Sequence, residues 1–532
     1  MTDRRRPFQR VLIANRGEIA VRIIRACREL GMESVAIYSD SDASAAHVRL
    51  ADLAVRIGPP PPTESYLRID AVVDAALRSG AQAVHPGYGF LAERAAFAAA
   101  CEEAGLAFVG PPSTSIEALG DKLAARRTAA AVGVDAVPGT LEPVPLDRPD
   151  QVGAILEIAK RIGFPVMVKA AAGGGGRGMR RVETPDALPA ALIAGSSEAG
   201  SAFGDGSVYI ERVIAPARHI EVQLLGDAQG HVVALGERDC SIQRRHQKLV
   251  EEAPAPGLST EQRRHLHGLA VKVASAAGLR NAATAEFLHD EDGSFWFLEV
   301  NTRLQVEHGV TELVSGLDIV REQFWLAAGE PLSQAAIAAS ERAATPASHA
   351  IEARISAEDP ARAFAPTPGR VTRWVMPAGP GVRVDTAIEA GDRVPPEYDN
   401  LIAKLMVHAG DREAAIERLR RALDETEVGG IQTTVPFHAF VVRDEAFRAG
   451  RLSTGFVPER WDGEAAHRSA SRAAQLAAAL DVLEPVSIVP PAVDGGEGPA
   501  SASVAATPRV GDRGSSTWRR SGRAAGRDRW PT

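Results

Sequence analysis

Carboxylates and amides recur at two-residue intervals within AATAEFLHDEDGSFWFLEVNTRLQVEH, residues 282–308. Asp292–Gly293, flanked by alternating apolar residues, predicts a two-residue hairpin turn. Pairing 291 with 294 and counting outward sets Glu286 opposite Glu299, with Cβ atoms about 4.5–5.5 Å apart. Asn301 lies two residues beyond Glu299 and shares its face. Two carboxylates and an amide oxygen make a hard-oxygen set suited to Mg2+ or Mn2+ bridging nucleotide phosphates. An inert acidic pair is disfavoured, because like charges set opposite one another repel. Phe287, Phe295 and Phe297 fall on the other face and anchor the hairpin in a core. Arg303, Gln305 and Glu307 join the metal-bearing face if the strand continues. Arginine and glutamine suit a small oxyanion, and the neighbouring carboxylate suits a general base.

A second window, FPVMVKAAAGGGGRGMRRV (164–182), delivers Lys169 on a strand-like run into a glycine-rich loop. Gly173–Gly178 matches G-x-G-x-x-G, but a dinucleotide fingerprint requires a helix directly afterwards. Here the strand-like MRRV follows, so the loop reads as a hairpin whose backbone N–H groups close over phosphates. No G-x-x-x-x-G-K-[ST] occurs, and the HRD and DFG motifs of a kinase are absent. ERDCSIQRRHQK (237–248) adds His246 and Lys248 as a phosphate clamp. Cys240 in the same window reads as a packed thiol, since no partner base is indicated by spacing.

Strand-like and helix-like runs alternate through the first hundred residues, which predicts a doubly wound parallel sheet. The loops NRGE and HPGYGF then lie beyond the carboxyl ends of strands, where such sheets bind ligands. Residues 136–150, with four prolines, read as a linker. The pattern from 164 to 305 is α+β, a proline-rich break falls near 345, and 350–460 form a third, mixed unit. Beyond about 461 the chain becomes rich in Ala, Gly, Pro, Ser and Arg, and 461–532 is expected to be a mostly disordered tail.

Composition narrows the classes further. The 532 residues are 45% hydrophobic and 24% charged, and suffice for about three to four domains. A net charge of −8 gives no global basic field for nucleic acid. Three scattered cysteines fit a reducing compartment. No stretch reads as a membrane span or as the apolar core of a signal peptide. Only six of the 60 basic side chains are lysine (122, 160, 169, 248, 272 and 404). Lysine is a compact point charge where arginine is a planar fork, so its retention against that bias marks positions of particular chemistry.

The motifs NRGEIAVR, HPGYGFLAE, GGGGRGMR, ERDCSIQRRHQK, EEAPAP, EVNTRLQVEH, IEARISAEDP and PPEYDNLIAKL run in that order from about residue 8 to 457. Together they resemble biotin carboxylase of the ATP-grasp superfamily. The resemblance implies a pre-ATP-grasp domain (1–120), an ATP-grasp domain (121–340, with a mobile lid at about 140–210) and a biotin carboxylase C-terminal domain (341–460). It implies that Lys122 and Lys169 contact ATP phosphates under the loop containing Gly174, Gly175, Gly176 and Gly178. Glu211, Arg212 and Ile214 would form the adenine hinge, His219 would lie near the ribose, and His246 and Lys248 by the transferred phosphate. Glu286, Glu299 and Asn301 would hold the metal. Arg303, Gln305 and the backbone of Val306 would bind bicarbonate, with Glu307 as base and Arg354 stabilising the biotin enolate. Lys404 falls in a motif without receiving a role.

The implied reaction is ATP-dependent carboxylation of biotin through carboxyphosphate, the first half-reaction of an acyl-CoA carboxylase such as acetyl-CoA carboxylase in fatty acid biosynthesis. No lysine here has the methionine neighbour of a biotinylation site, so the biotin is expected on a separate carrier, unless the chain is a truncated form of a longer fused subunit. Expected partners are a biotin carboxyl carrier protein and a carboxyltransferase subunit, in a cytoplasmic homodimer without nucleic acid or membrane. The rival readings are another ATP-grasp ligase, of carbamoyl-phosphate or purine-pathway type, and a nucleotide-binding pseudoenzyme. Three positions depart from the family pattern: Ala172 where a further glycine is usual, Arg212 where lysine is usual, and Gly309 where proline is common.

Overall fold

Runs of aliphatic residues too short for helices, each followed by a helical stretch, build the N-terminal layer. Strands β1 (Arg10–Ile13), β2 (Glu33–Ser39), β3 (Leu53–Gly58), β4 (Ala83–His85) and β5 (Ala107–Phe108) form a parallel sheet in the order β3-β2-β1-β4-β5. Val11, Leu12 and Ile13 are fully buried because helices cover both faces. The strand order reverses between β1 and β4, so the crevice beyond them opens at a topological switch point. Asn15, from the loop after β1, donates to the carbonyls of Pro86 and Tyr88, both at 2.7 Å, and ties the two crevice loops together. The doubly wound expectation holds. The structure, a computed structural model, describes residues 6–144, 152–171 and 179–483.

A small three-stranded unit follows, ordered β7-β6-β8 from β6 (Val166–Ala170), β7 (Arg180–Val182) and β8 (Val208–Arg212). Helices Val152–Ile162 and Leu188–Phe203 close it over a core that includes Val166, Val168, Val182, Leu192 and Ile210. β6 and β7 pair antiparallel, Val166 with Val182 and Val168 with Arg180, so a strand does leave the glycine-rich segment. Residues 172–178, and with them Ala172, Gly174, Gly175, Gly176 and Gly178, lie outside the described residues. Of the expected linker, residues 136–144 run along β8, where Thr140 and Val144 donate to the carbonyls of Ile210 and Val208.

The largest sheet of the described residues is eight-stranded and antiparallel. It runs through β13 (Phe295–Asn301), β12 (Asn281–Asp290), β9 (Ala217–Gly226), β10 (Val232–Arg244), β11 (Gln247–Ala253) and β14 (His349–Ser356). Strands Leu401–Ala409 and Val382–Thr386 complete it. The sheet therefore crosses the proline-rich break near 345 without interruption: Val250 pairs with Ala353 and Glu251 with Glu352. The tail differs from expectation. Gly463–Leu483 is a helix, begun by the Asp462 carboxylate accepting from the Ala465 N–H at 2.9 Å. Its alanines are the best helix formers, a signal the low-complexity reading passed over. Residues 484–532 lie outside the described residues. Among the described residues no helix is long and apolar enough to cross a membrane.

Candidate active site

Sheet register assembles the charges. Glu299 on β13 pairs with Glu286 on β12, Glu286 with Glu221 on β9, and Glu221 with Arg238 on β10. Four charged residues thus form one cross-strand row. The Glu286–Glu299 pairing agrees with the sequence expectation, but the turn does not. His289 pairs with Phe295, so the hairpin loop is longer by one residue than the expected Asp292–Gly293 turn. A register shift between Glu286 and Phe287, which leaves Leu298 as the extra residue, restores the pairing. Phe287, Phe295 and Phe297 are buried on the opposite side, as expected.

Three adjacent carboxylates require cations, and the hairpin β10–β11 supplies them. Lys248 Nζ donates to Glu221 Oε2 at 2.5 Å, Glu286 Oε1 at 2.9 Å and Glu307 Oε1 at 2.8 Å. Burial disfavours this ammonium, but the three carboxylates hold it firmly protonated. Arg238, fully buried, donates to Glu221 at 2.5 Å and to Gln223 and Thr311. The tip of the hairpin, Arg245 and His246, adopts φ of +47° and +66°. Arg244 pairs with Gln247, and the two-residue loop between them needs positive φ at both positions, which non-glycine residues adopt at a conformational cost. Among the described residues His219, Glu221 and Glu286 bring one ligand atom each within 4.8 Å of one another.

Arg303, Gln305 and Glu307 reach the same place by another route. The strand ends at Asn301 instead of continuing, and the chain turns into the helix His308–Ser315 with Glu307 at its N-cap position. Arg303 donates to Gln305 Oε1 at 2.7 Å, Asn301 Oδ1 at 3.1 Å and Glu93 Oε2 at 2.9 Å. Gln305 and Asn301 donate in turn to Glu286 Oε1 at 3.2 and 2.8 Å. Glu307 is fully buried between Lys248 and Arg354, whose Nη2 donates to its Oε2 at 2.8 Å. Burial opposes ionisation of Glu307, yet Lys248, then Arg354 and Arg238, hold its carboxyl well below the usual range. Arg354 also donates to Glu251 Oε1 at 2.5 Å; burial pushes Glu251 up to about 7 against that pairing. Cys240 Sγ lies 3.8 Å from Glu307 Oε1, and burial followed by Glu221 drives its thiol well above its normal value, so it is a packed, neutral thiol.

A cleft of about 1660 Å³ runs over this floor. Lys122, Lys169, Glu211, Arg212, Ile214, His219, His246, Lys248, Glu286, Glu299, Asn301, Arg303, Gln305, Val306 and Arg354 all line it. Glu307 is shut beneath Lys248 and Arg354. Lys122 lies 3.4 Å from Glu299 Oε2, and Lys169 pairs with Glu211, whose other oxygen accepts from Arg126 at 2.5 Å. Both oxygens of Glu211 are therefore engaged in anchoring cations. His219 Nε2 lies 2.9 Å from Glu286 Oε2, beside the acidic row. The donor set at Glu286 and Glu299 fits a hard divalent cation; the Asn301 amide oxygen is turned to Arg303.

Sequence reasoning missed Glu221, Glu251, Arg238 and Glu93. Glu221 meets Glu286 through strands some 60 residues apart in sequence, and Glu93 reaches Arg303 across 210 residues, so no local spacing could nominate them. The alternation in HIEVQLL was the one available signal for Glu221.

Comparison with known proteins adds the family. Models of the biotin carboxylase N-terminal domain and C-terminal domain match residues 7–116 and 352–459, and a carbamoyl-phosphate synthase L chain ATP-binding domain matches 121–335. The biotin carboxylase of Nostoc sp. is 49% identical over 452 residues, covering 85% of this chain and 99% of that one. The chain belongs to the biotin carboxylase family. The biotin carboxylase of Pseudomonas aeruginosa is 47% identical, covering 85% of this chain and 98% of that one. Among solved structures, the biotin carboxylase domain dimer of Hydrogenobacter thermophilus 2-oxoglutarate carboxylase, in complex with MgADP, ADP and bicarbonate, superposes with a TM-score of 0.81. It is 46% identical and covers 85% of this chain and 97% of that one. A biotin carboxylase–β-γ-ATP complex from Campylobacter jejuni gives 0.81 at 42% identity, covering 85% and 99%. Biotin carboxylase domains flanking the ATP-binding match on both sides displace the other ATP-grasp ligases. The protein is an ATP-dependent ligase that carboxylates biotin.

Proposed function

We propose that Glu307 is the general base of this carboxylation, and the observation that carries the proposal is its burial within hydrogen-bond distance of both Lys248 and Arg354. With both oxygens engaged, Glu307 is a weak base. Substrate oxygens that draw off Lys248 and Arg354 raise its basicity at the moment a proton must move. Arg303, Gln305 and the backbone of Val306 receive bicarbonate beside it. Glu307 takes the bicarbonate proton, and a bicarbonate oxygen attacks the γ-phosphorus of ATP. The bond to the β–γ bridging oxygen breaks, giving ADP and carboxyphosphate. Lys122, Lys169, His246 and Lys248 neutralise the phosphates, and Glu286 and Glu299, with Asn301 adjacent, would hold a Mg2+ or Mn2+ that supplies further charge neutralisation. Carboxyphosphate splits to CO2 and phosphate; phosphate takes the ureido N1 proton of biotin while Arg354 steadies the enolate oxygen, and N1 then bonds the CO2 carbon. Excluding water is essential, because carboxyphosphate otherwise hydrolyses. The hinge residues Glu211, Arg212 and Ile214, with His219, seat the nucleoside.

The acceptor biotin comes from a carrier protein, a carboxyltransferase subunit uses the product, and the enzyme works as a homodimer in the cytoplasm. The homologues' activity as biotin carboxylases supports the carrier and carboxyltransferase reading. The test is ADP release by purified protein with Mg-ATP, with and without bicarbonate and free biotin. Bicarbonate-dependent release stimulated by biotin is expected. Release indifferent to biotin would overturn the assignment.

A further inference from the structure

Lys404 is a fully buried lysine in a chain that retains only six. It stands on the strand Leu401–Ala409, directly opposite Arg354 on β14 and Asp385 on the strand Val382–Thr386. These three side chains form one cross-strand row on the face that looks toward Glu307. The two cations of the row grip consecutive residues: Arg354 holds the carboxylate of Glu307, and Lys404 Nζ donates to the carbonyl of Val306 at 2.8 Å. Lys404 also lies 3.3 Å from Glu18 Oε1, on the first helix of the N-terminal layer, and 3.9 Å from Asp385 Oδ2. The hydroxyl of Tyr88, from the HPGYGF loop, donates to the same Glu18 oxygen.

We infer that Lys404 is a positioning residue of the bicarbonate site: it fixes the Val306 carbonyl, and hence the 303–307 segment, against the N-terminal layer and the C-terminal strands together. A compact ammonium suits this place, because its donors diverge toward a carbonyl and a carboxylate on different elements, whereas a guanidinium projects its donors in one plane. The charge partners alone would be served by any cation; the bond to Val306 is what connects Lys404 to the reacting anion. The Glu352 carboxylate, also buried nearby on β14, has no hydrogen-bond partner among the described residues and does not compete for the ammonium through a direct bond.

The inference rests on the bicarbonate site proposed above, and the parent enzyme tests that reading separately, since it must show bicarbonate-dependent ADP release. Two variants test Lys404 itself, Lys404→Met and the double variant Glu18→Gln/Lys404→Met, which also removes the buried carboxylate left unpaired by the first. Steady-state ADP release gives KM for bicarbonate and for ATP, and thermal melting gives stability. The bicarbonate KM is expected to rise by about tenfold in both variants, the scale of one lost hydrogen bond to a charged group. The ATP KM is expected to stay within about twofold. The melting temperature recovers in the double variant while the bicarbonate KM does not. A double variant with parental bicarbonate KM would overturn the inference and leave Lys404 as a counter-charge for Glu18. Equal rises in the two KM values would overturn it as well, and the double variant carries the test if Lys404→Met does not fold.

Discussion

Arg354 touches both Glu251 and Glu307 and brings its positive charge to the lining of the cleft. Replacing Arg354 with alanine is expected to lower biotin-dependent turnover by about 10²–10³-fold, as for loss of one oxyanion donor. ATP binding measured by calorimetry should persist; unchanged carboxylation would remove the role. Glu251 is held by burial at about 7 against an unperturbed 4.5. A raised carboxyl contributes stability below its unfolded pKa and loses it as pH climbs through the folded value. Glu251→Gln should therefore gain melting temperature relative to the parent as pH rises from about 5 to 7, and a pH-independent difference would contradict this. The residue types at 286, 299, 303, 305 and 307 were legible in the sequence because they sit in one window with period-two spacing. Glu251 lies in the EEAPAP motif, but its role was not legible, because its partner Arg354 is 103 residues away.

At the scale of elements, two local errors cancelled. The hairpin loop is a residue longer than Asp-Gly suggests, and the irregularity at Leu298 returns Glu286 to Glu299. The residues around Leu298 carry no glycine to mark such a bulge, so the sequence does not announce it. The segment after Asn301 shows the opposite case: the alternation of Arg303, Gln305 and Glu307 reads as strand, yet the helix His308–Ser315 captures Glu307 as its N-cap residue. That helix also explains a departure from the family pattern. A Cβ at Gly309 would come within 2.2 Å of Met406 Sδ, so glycine here makes room for a fully buried methionine. Gly309→Ala should destabilise by about 1–3 kcal/mol, as overpacking does. Met406→Ala in the same chain should recover part of it in urea denaturation, whereas strictly additive losses would show that the two residues do not compete for space.

Across the whole molecule, the layers are joined by buried charges as much as by apolar contacts. Arg22 of the N-terminal layer donates to Glu312 at 2.8 Å and Asp318 at 2.7 Å, and Arg383 of the C-terminal strands donates to the same Glu312 at 2.6 Å. Glu312 belongs to the helix that starts directly after Glu307, so all three layers converge on the element beside the base. The doubly wound layer was legible because its strands and helices alternate locally. The continuous eight-stranded sheet was not, because β11 and β14 meet across nearly a hundred residues of intervening helices and prolines.

That sheet has a genetic consequence. A gene cut at the codon for residue 345 divides the sequence where it looks most divisible, yet the products are not modules. One ends with the edge of β11 bare and the other begins with the edge of β14 bare, each a row of unmatched N–H and C=O groups inviting aggregation. Neither fragment should be soluble when expressed alone, and the two should co-purify when expressed together; a soluble, monomeric fragment of residues 346–483 would contradict this. For this enzyme, recombination has no harmless breakpoint between the half that binds nucleotide and the half that carries Arg354.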